Sequence, residues 1–322
     1  MHDGFEALEL GDVDKAKRIG RRLIKNYHSS GFEILALALQ DDQEPEEAIE
    51  ILEEGVSLAP NVWLLWQLLG NYRSEQHKYN EAHEAYKCAL QCEQVDADWV
   101  NYNIAVALVG EKRFEDAQRA LERIDEKSMK PRADALSASI LVDQGRKDEA
   151  VQLAHSALES MSALLSEMDE DTFDSPASYA PVYALLGQTL RQGGETDVAR
   201  ECVEQGLYLD YMEKSVFSLL RELDNAYSSD AKYFRVLVKG EWPNQANEPD
   251  EENLGFVKSF DVVAKSPDDV LDWIKNVEVN AAFDTLRVTE IEELEDRPDD
   301  PMGVYRATAY MTFPREQDLV GK

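Results

Sequence analysis

Cys88 and Cys92 stand one helical turn apart with His83 just upstream, and this is the first grouping in the sequence that resembles a metal site. Zinc requires a full tetrahedral ligand set, and no second Cys or His pair at ligand spacing completes one. The two thiols are expected to act as small packing residues. The histidines, His2, His28, His77, His83 and His155, come without a Ser, Cys or Asp in a nucleophile motif. Val109-Gly110-Glu111-Lys112 lacks the spaced glycines and the Lys-Ser/Thr ending of a phosphate loop, so Gly110 is read as a helix end. The acidic pairs Glu292/Glu293 and Asp299/Asp300 lack calcium-loop spacing and are read as solvated surface. No enzyme, metal or cofactor is expected from these residues.

Composition narrows the function further. With 33 basic against 65 acidic side chains, the net charge of −32 repels phosphate backbones and anionic lipid, which argues against nucleic acid or membrane as a partner. A basic protein surface would be drawn to it, although the same charge also serves solubility. Hydrophobic residues at 43% fit a folded chain, and 322 residues suggest about two domains. No apolar run reaches the ~18 residues of a membrane span. The opening Met1-His2-Asp3-Gly4 is unlike a leader, so a cytoplasmic location with reduced thiols at Cys88, Cys92 and Cys202 is expected.

The elements that would position these residues recur with one frame. Trp66, Leu69 and Gly70 are followed by Ala82, Tyr86 and Ala89. One period earlier stand Phe32, Leu35, Ala36 and Leu39, then Ala48, Leu52, Gly55 and the terminating Pro60. Ile104, Ala105, Leu108, Ala117 and Leu121 follow with a one-residue slip. Ala138, Leu141, Ala150 and Ala157 continue the pattern, as do Leu186, Gly187, Leu190, Ala199 and Gly206. Phe5, Leu8, Ala16 and Leu23 fit a first copy with a short opening helix. Glycines and acids precede each second helix, as a turn followed by a positive helix end favours. Bulky and small residues at this spacing resemble the roughly 34-residue tetratricopeptide repeat, two antiparallel helices meeting through small side chains. The resemblance implies an all-α solenoid of about six helix-turn-helix repeats. A capping helix is expected within Tyr211–Tyr227, and a longer loop over Ser166–Pro181.

After Ser228-Ser229-Asp230 the period changes from helical to alternating. The expected organisation is a repeat domain over 1–228 and a small α+β domain over 231–322, its mostly antiparallel sheet ordered strand, strand, helix, strand, strand. The strands are read at Tyr233–Trp242, Phe256–Ala264, Phe283–Leu294 and Gly303–Phe313, with a loop from Trp242 to Asn253. The helix opens with Ser266 as N-cap and Pro267 in its first position, turning Val270, Leu271, Trp273 and Ile274 inward.

In proteins of this repeat class the first helices line a groove, and the resemblance implies that the groove receives a peptide or protein partner. Positions there not used for packing are Gln67 and Asn71, then Tyr102, Asn103 and Val106, then Arg132 and Ser139. Asn71 and Asn103 match the two asparagines of the carboxylate clamp found in some such proteins, and Arg132 stands in for one basic residue. Gln67 and Leu136 fall where Lys and Arg are required, so a carboxylate would be poorly held. The leading expectation is therefore a protein-binding module. One alternative is an acidic immunity or inhibitor protein that neutralises a basic partner. Another is a repeat arm targeting a ligand-sensing or enzymatic C-terminal domain, with Tyr233, Arg235, Trp242, Arg306 and Tyr310 lining its pocket.

Overall fold

The computed structural model of the chain describes all residues except 1, 10, 43, 169–174, 243–253, 279–280 and 315–322. It contains two compact units, Met1–Ile140 and Leu141–Lys322.

The first unit is a stack of helical hairpins: α1 (His2–Glu9) with α2 (Val13–Lys25), α3 (Ser30–Asp41) with α4 (Pro45–Leu58), α5 (Trp63–Glu75) with α6 (Tyr79–Ala89), and α7 (Ala97–Gly110) with α8 (Phe114–Leu121). The opening part of α9 (Lys130–Asp143) completes it. The caps follow from sequence: Asp12 accepts from the Lys15 amide at 3.0 Å and Asp96 from the Trp99 amide at 3.1 Å, each satisfying an amide the helix leaves unpaired. Phe32, Leu35, Leu39, Leu52, Leu65 and Leu69 share one core across α3, α4 and α5. Each such side chain, fully buried, contributes about 1.5–3 kcal/mol.

Gly110 is the last residue of α7, the helix end it was expected to be, and the left-handed residue of the turn that follows is Lys112 at φ 60°. His77 does the same one hairpin earlier at φ 59°. The turn thus requires a left-handed residue at a fixed place whether or not glycine supplies it.

In the second unit α10 (Lys147–Glu167) is followed by α11 (Ala180–Gly193) with α12 (Thr196–Leu209), and then α13 (Lys214–Asp224). The expected loop over Ser166–Pro181 is shorter than its sequence implied. α10 runs through Glu167, Pro176–Tyr179 form a 3-10 turn, and Pro181 sits in the first turn of α11, where it lacks only an amide the helix would leave unpaired. The remainder of that loop, residues 169–174, lies outside the described residues, as does the expected loop over 243–253.

Beyond α13 the chain forms β1 (Lys232–Glu241), β2 (Leu254–Ala264), α14 (Val270–Lys275), β3 (Arg287–Asp296), β4 (Gly303–Ala307) and β5 (Met311–Pro314). The sheet is antiparallel in the order β3-β1-β2-β4, with β5 also on β2. Four strands were expected, and the fourth is split in two. Thr308 Oγ1 accepts from the Ser259 amide at 3.0 Å, and this side-chain bond bridges the interruption between β4 and β5. Phe283–Thr285, expected as the start of a strand, is a 3-10 turn. Ser266 does not cap a backbone amide; its hydroxyl donates to Asp269 at 2.8 Å, ahead of a 3-10 turn that precedes α14.

Alternation along β1 puts Phe234, Val236 and Val238 inward, where they join Phe256, Phe260 and Val262 of β2. The same core takes Val270 and Ile274 from α14, Val216, Phe217 and Leu219 from α13, and Val203 and Leu207 from α12. The expected capping helix is therefore packed between repeat helices and sheet. Arg221 of α13 donates to the Val304 carbonyl and lies 3.8 Å over the Tyr305 ring. Gly303, at φ 139°, leaves room for it, since a Cβ there would come within 2.8 Å of Arg221 Cγ.

Candidate partner-binding surface

The seven candidate positions all fall in the first unit, on α5, α7 and α9. Gln67 is 7% exposed, and its Oε1 has no hydrogen-bond donor among the described residues. Asn71, one turn on, accepts from the Tyr86 hydroxyl at 2.9 Å. That bond depends on Gly70, because a Cβ there would sit 2.5 Å from the Tyr86 ring. On α7, Asn103 donates to the Trp99 carbonyl at 3.0 Å within its own helix, Tyr102 is half-buried, and Val106 is 43% exposed. Burial pushes the Tyr102 phenol up, against the pull of the Arg132 guanidinium nearby. On α9, Arg132 is 3% exposed, stacks 5.1 Å over the Trp99 ring, and lies under the surface it was expected to serve; Ser139 is half-buried. Arg132, Trp99 and Tyr102 are thus brought together, while Asn71 and Asn103 are each engaged within their own hairpin.

Two carboxylates on the first helices escape motif reading. Glu33 on α3 stands one period before Gln67 and has neither a hydrogen-bond nor an ion-pair partner among the described residues. Burial alone pushes its carboxyl up to about 7. Glu75, at the end of α5, is raised by burial and accepts from Gln40 Nε2 at 2.7 Å, which partly offsets the shift. A charged residue in an otherwise polar or apolar frame position was the one signal for Glu33 in the sequence.

The thiols line a cleft that includes none of the seven candidate positions. Cys92 lies beyond the end of α6, so the pair does not share a helix as expected. With Pro60 and Trp66 both cysteines line an open cleft of about 640 Å³, and burial raises the Cys92 thiol. No group of three or more His, Cys, Asp or Glu side chains is placed to hold a metal among the described residues. His83 and His155 each meet a carboxylate, Glu111 at 2.5 Å and Glu195 at 2.6 Å.

In the second unit the five strand residues expected around a pocket divide between the two faces of the sheet. Arg235 and Arg306 line a cavity of about 240 Å³ with Ser259, Asp261 and Thr308. Arg235 is bound there to Asp261 at 3.0 Å. Tyr233 stacks edge-on to Tyr305, with ring centroids 6.0 Å apart. Trp242 and Tyr310 instead pack on each other at 4.6 Å beside Phe256 of the core. No helix among the described residues is long and apolar enough to cross a membrane.

Helical hairpins repeated in one frame, each buried against its neighbours, define a helical-repeat protein. A tetratricopeptide-repeat family model matches at residues 32–62, which span α3 and α4, and at 180–211, which span α11 and α12. Those two hairpins match the tetratricopeptide repeat, and the other hairpins share their helix-turn-helix form. No curated protein matches it in sequence. Among solved structures, the Cut9–Hcn1 hetero-tetramer of the APC/C is similar at a TM-score of 0.50 and 14% identity, over 69% of this chain and 41% of that one. The chain thus spans less than half of that relative. A tetratricopeptide repeat protein from Parabacteroides merdae gives 0.47 at 13% identity, over 70% and 84%. PilF of Pseudomonas aeruginosa gives 0.44 at 17%, over 69% and 95%.

Proposed function

We propose that the chain is a non-enzymatic protein-binding module whose first helices, α5, α7 and α9 among them, receive a peptide or protein segment. In this reading residues 1–228 act as the repeat domain and 231–322 as an appended α+β domain, within the cytoplasm and away from nucleic acid and membrane. The observation that carries it is Val106, an apolar side chain left 43% exposed on a first helix beside half-buried Tyr102. Exposed apolar surface set among amide and aromatic side chains suits an extended peptide. The test is capture of a partner by the full chain and by Val106→Asp. The substitution is expected to abolish capture without moving the unfolding midpoint, and equal capture by both proteins would sink the reading.

Net charge favours a second reading, in which the chain neutralises a basic toxin or nuclease. A single tight partner lost between low and high salt would support it. The cavity at Arg235 and Arg306 motivates a third, a ligand-sensing C-terminal domain, which a small-anion screen by thermal shift tests directly.

A further inference from the structure

On the first helices of the first unit two acceptors lack a donor among the described residues. Gln67 is more than nine-tenths buried and its amide oxygen has no donor among the described residues. Such a group costs free energy until something supplies an N–H. At the equivalent position of the preceding repeat, Glu33 is half-buried and without a partner among the described residues. α3 and α5, which carry the two, are in contact. The one basic side chain among the candidate positions, Arg132, is turned under Trp99 and is 3% exposed. Of the other candidate positions Val106 is apolar, Asn71 accepts from the Tyr86 hydroxyl, Asn103 donates to the Trp99 carbonyl, and Tyr102 and Ser139 are half-buried hydroxyls without positive charge.

Two acceptors without donors, one of them a carboxylate, call for a cationic donor. We propose that Glu33 and Gln67 together form a subsite for the side chain of an arginine or lysine in an extended peptide. This rests on the reading of the first helices as the binding surface and names the chemistry of what they take. An arginine suits it best, because a planar guanidinium presents several N–H groups and is less strongly hydrated than an ammonium. The overall charge of −32 steers such a segment toward the chain, and Glu33 with Gln67 then fixes where its side chain ends. The polarity is opposite to that of a carboxylate clamp.

The experiment uses the full chain at pH 8 in 0.3 M NaCl, so that diffuse attraction to the acidic surface is screened. The probes are an end-blocked octapeptide whose one charge is a central arginine and the same peptide with citrulline in its place. Amide NMR shifts are followed to millimolar peptide for the native chain, Glu33→Gln, Gln67→Leu and Val106→Asp. The arginine peptide is expected to shift α3 and α5 amides saturably. Binding should weaken roughly 10-fold or more for citrulline and for Glu33→Gln, as loss of a charge-assisted bond implies, and less for Gln67→Leu. Equal binding of the two peptides, no response at α3 and α5, or indifference to Glu33→Gln overturns the proposal. If Val106→Asp weakens both peptides equally while Glu33→Gln does nothing, the binding surface stands and only the cation subsite fails. If neither substitution matters, both fail.

Discussion

Lys258 Nζ lies 3.3 Å from Glu278 Oε2 in the core of the second unit, with the two side chains 1% and 0% exposed. Around the ammonium stand the rings of Tyr211 at 4.2 Å, Tyr310 at 4.3 Å and Phe260 at 5.0 Å. The Tyr310 hydroxyl also donates to Glu278 Oε1 at 2.5 Å. The break between β4 and β5 leaves Tyr310 between the two strands, so the interrupted edge and the buried pair are one feature.

Removing one member of that pair strands the other charge. Lys258→Met or Glu278→Leu is expected to destabilise by about 3–5 kcal/mol, and the double substitution by much less, because two apolar side chains fill the same space without a desolvated charge. Urea unfolding followed by Trp242 and Trp273 fluorescence, with all three variants, checks it.

Burial lowers the Lys258 ammonium to about 8, against the opposing pull of Glu278. The folded state therefore binds fewer protons than the unfolded state between about pH 8 and 10.5, and this group's contribution to stability rises with pH across that window. Above pH 10 the buried phenols of Tyr72 and Tyr86, both raised, act in the opposite sense. Stability of the native chain minus that of Lys258→Met, measured from pH 7 to 10, should increase; a flat difference would refute the assignment.

Glu33 has the opposite sign. Its carboxyl is raised to about 7, so the folded state holds a proton that the unfolded state loses above about 4.5, and stability from this group falls between those values. Glu33→Gln is expected to raise the unfolding midpoint at pH 8 and leave it nearly unchanged at pH 4.

At Gly70 there is no room for a side chain, as a Cβ would lie 2.5 to 2.9 Å from three atoms of the Tyr86 ring. Gly70→Ala is expected to cost about 1–3 kcal/mol despite the better helix propensity of alanine. Thermal unfolding would detect it, and an unchanged or higher midpoint would mean that the ring can move aside.

The sequence by itself determined the repeats. Small residues such as Ala82 and Gly70 against a bulky Tyr86 encode hairpin packing through contacts close in sequence, and one frame carried that reading from α3 to α12. Alternation likewise placed β1 and β2, whose inward Phe234, Val236, Phe256 and Phe260 are local in pattern. What remained hidden depends on partners far apart in the chain. Nothing local distinguishes Lys258 from a surface lysine of an alternating strand, and only its pairing with Glu278 makes it a core residue. Arg132 looked like a groove cation until Trp99, from another hairpin, covered it. Glu33 drew no reading from the sequence, since its frame position gives its direction and not its surroundings. Which side chains face one another is fixed by tertiary packing, because burial and charge pairing are properties of a place in the fold and not of a position in the repeat.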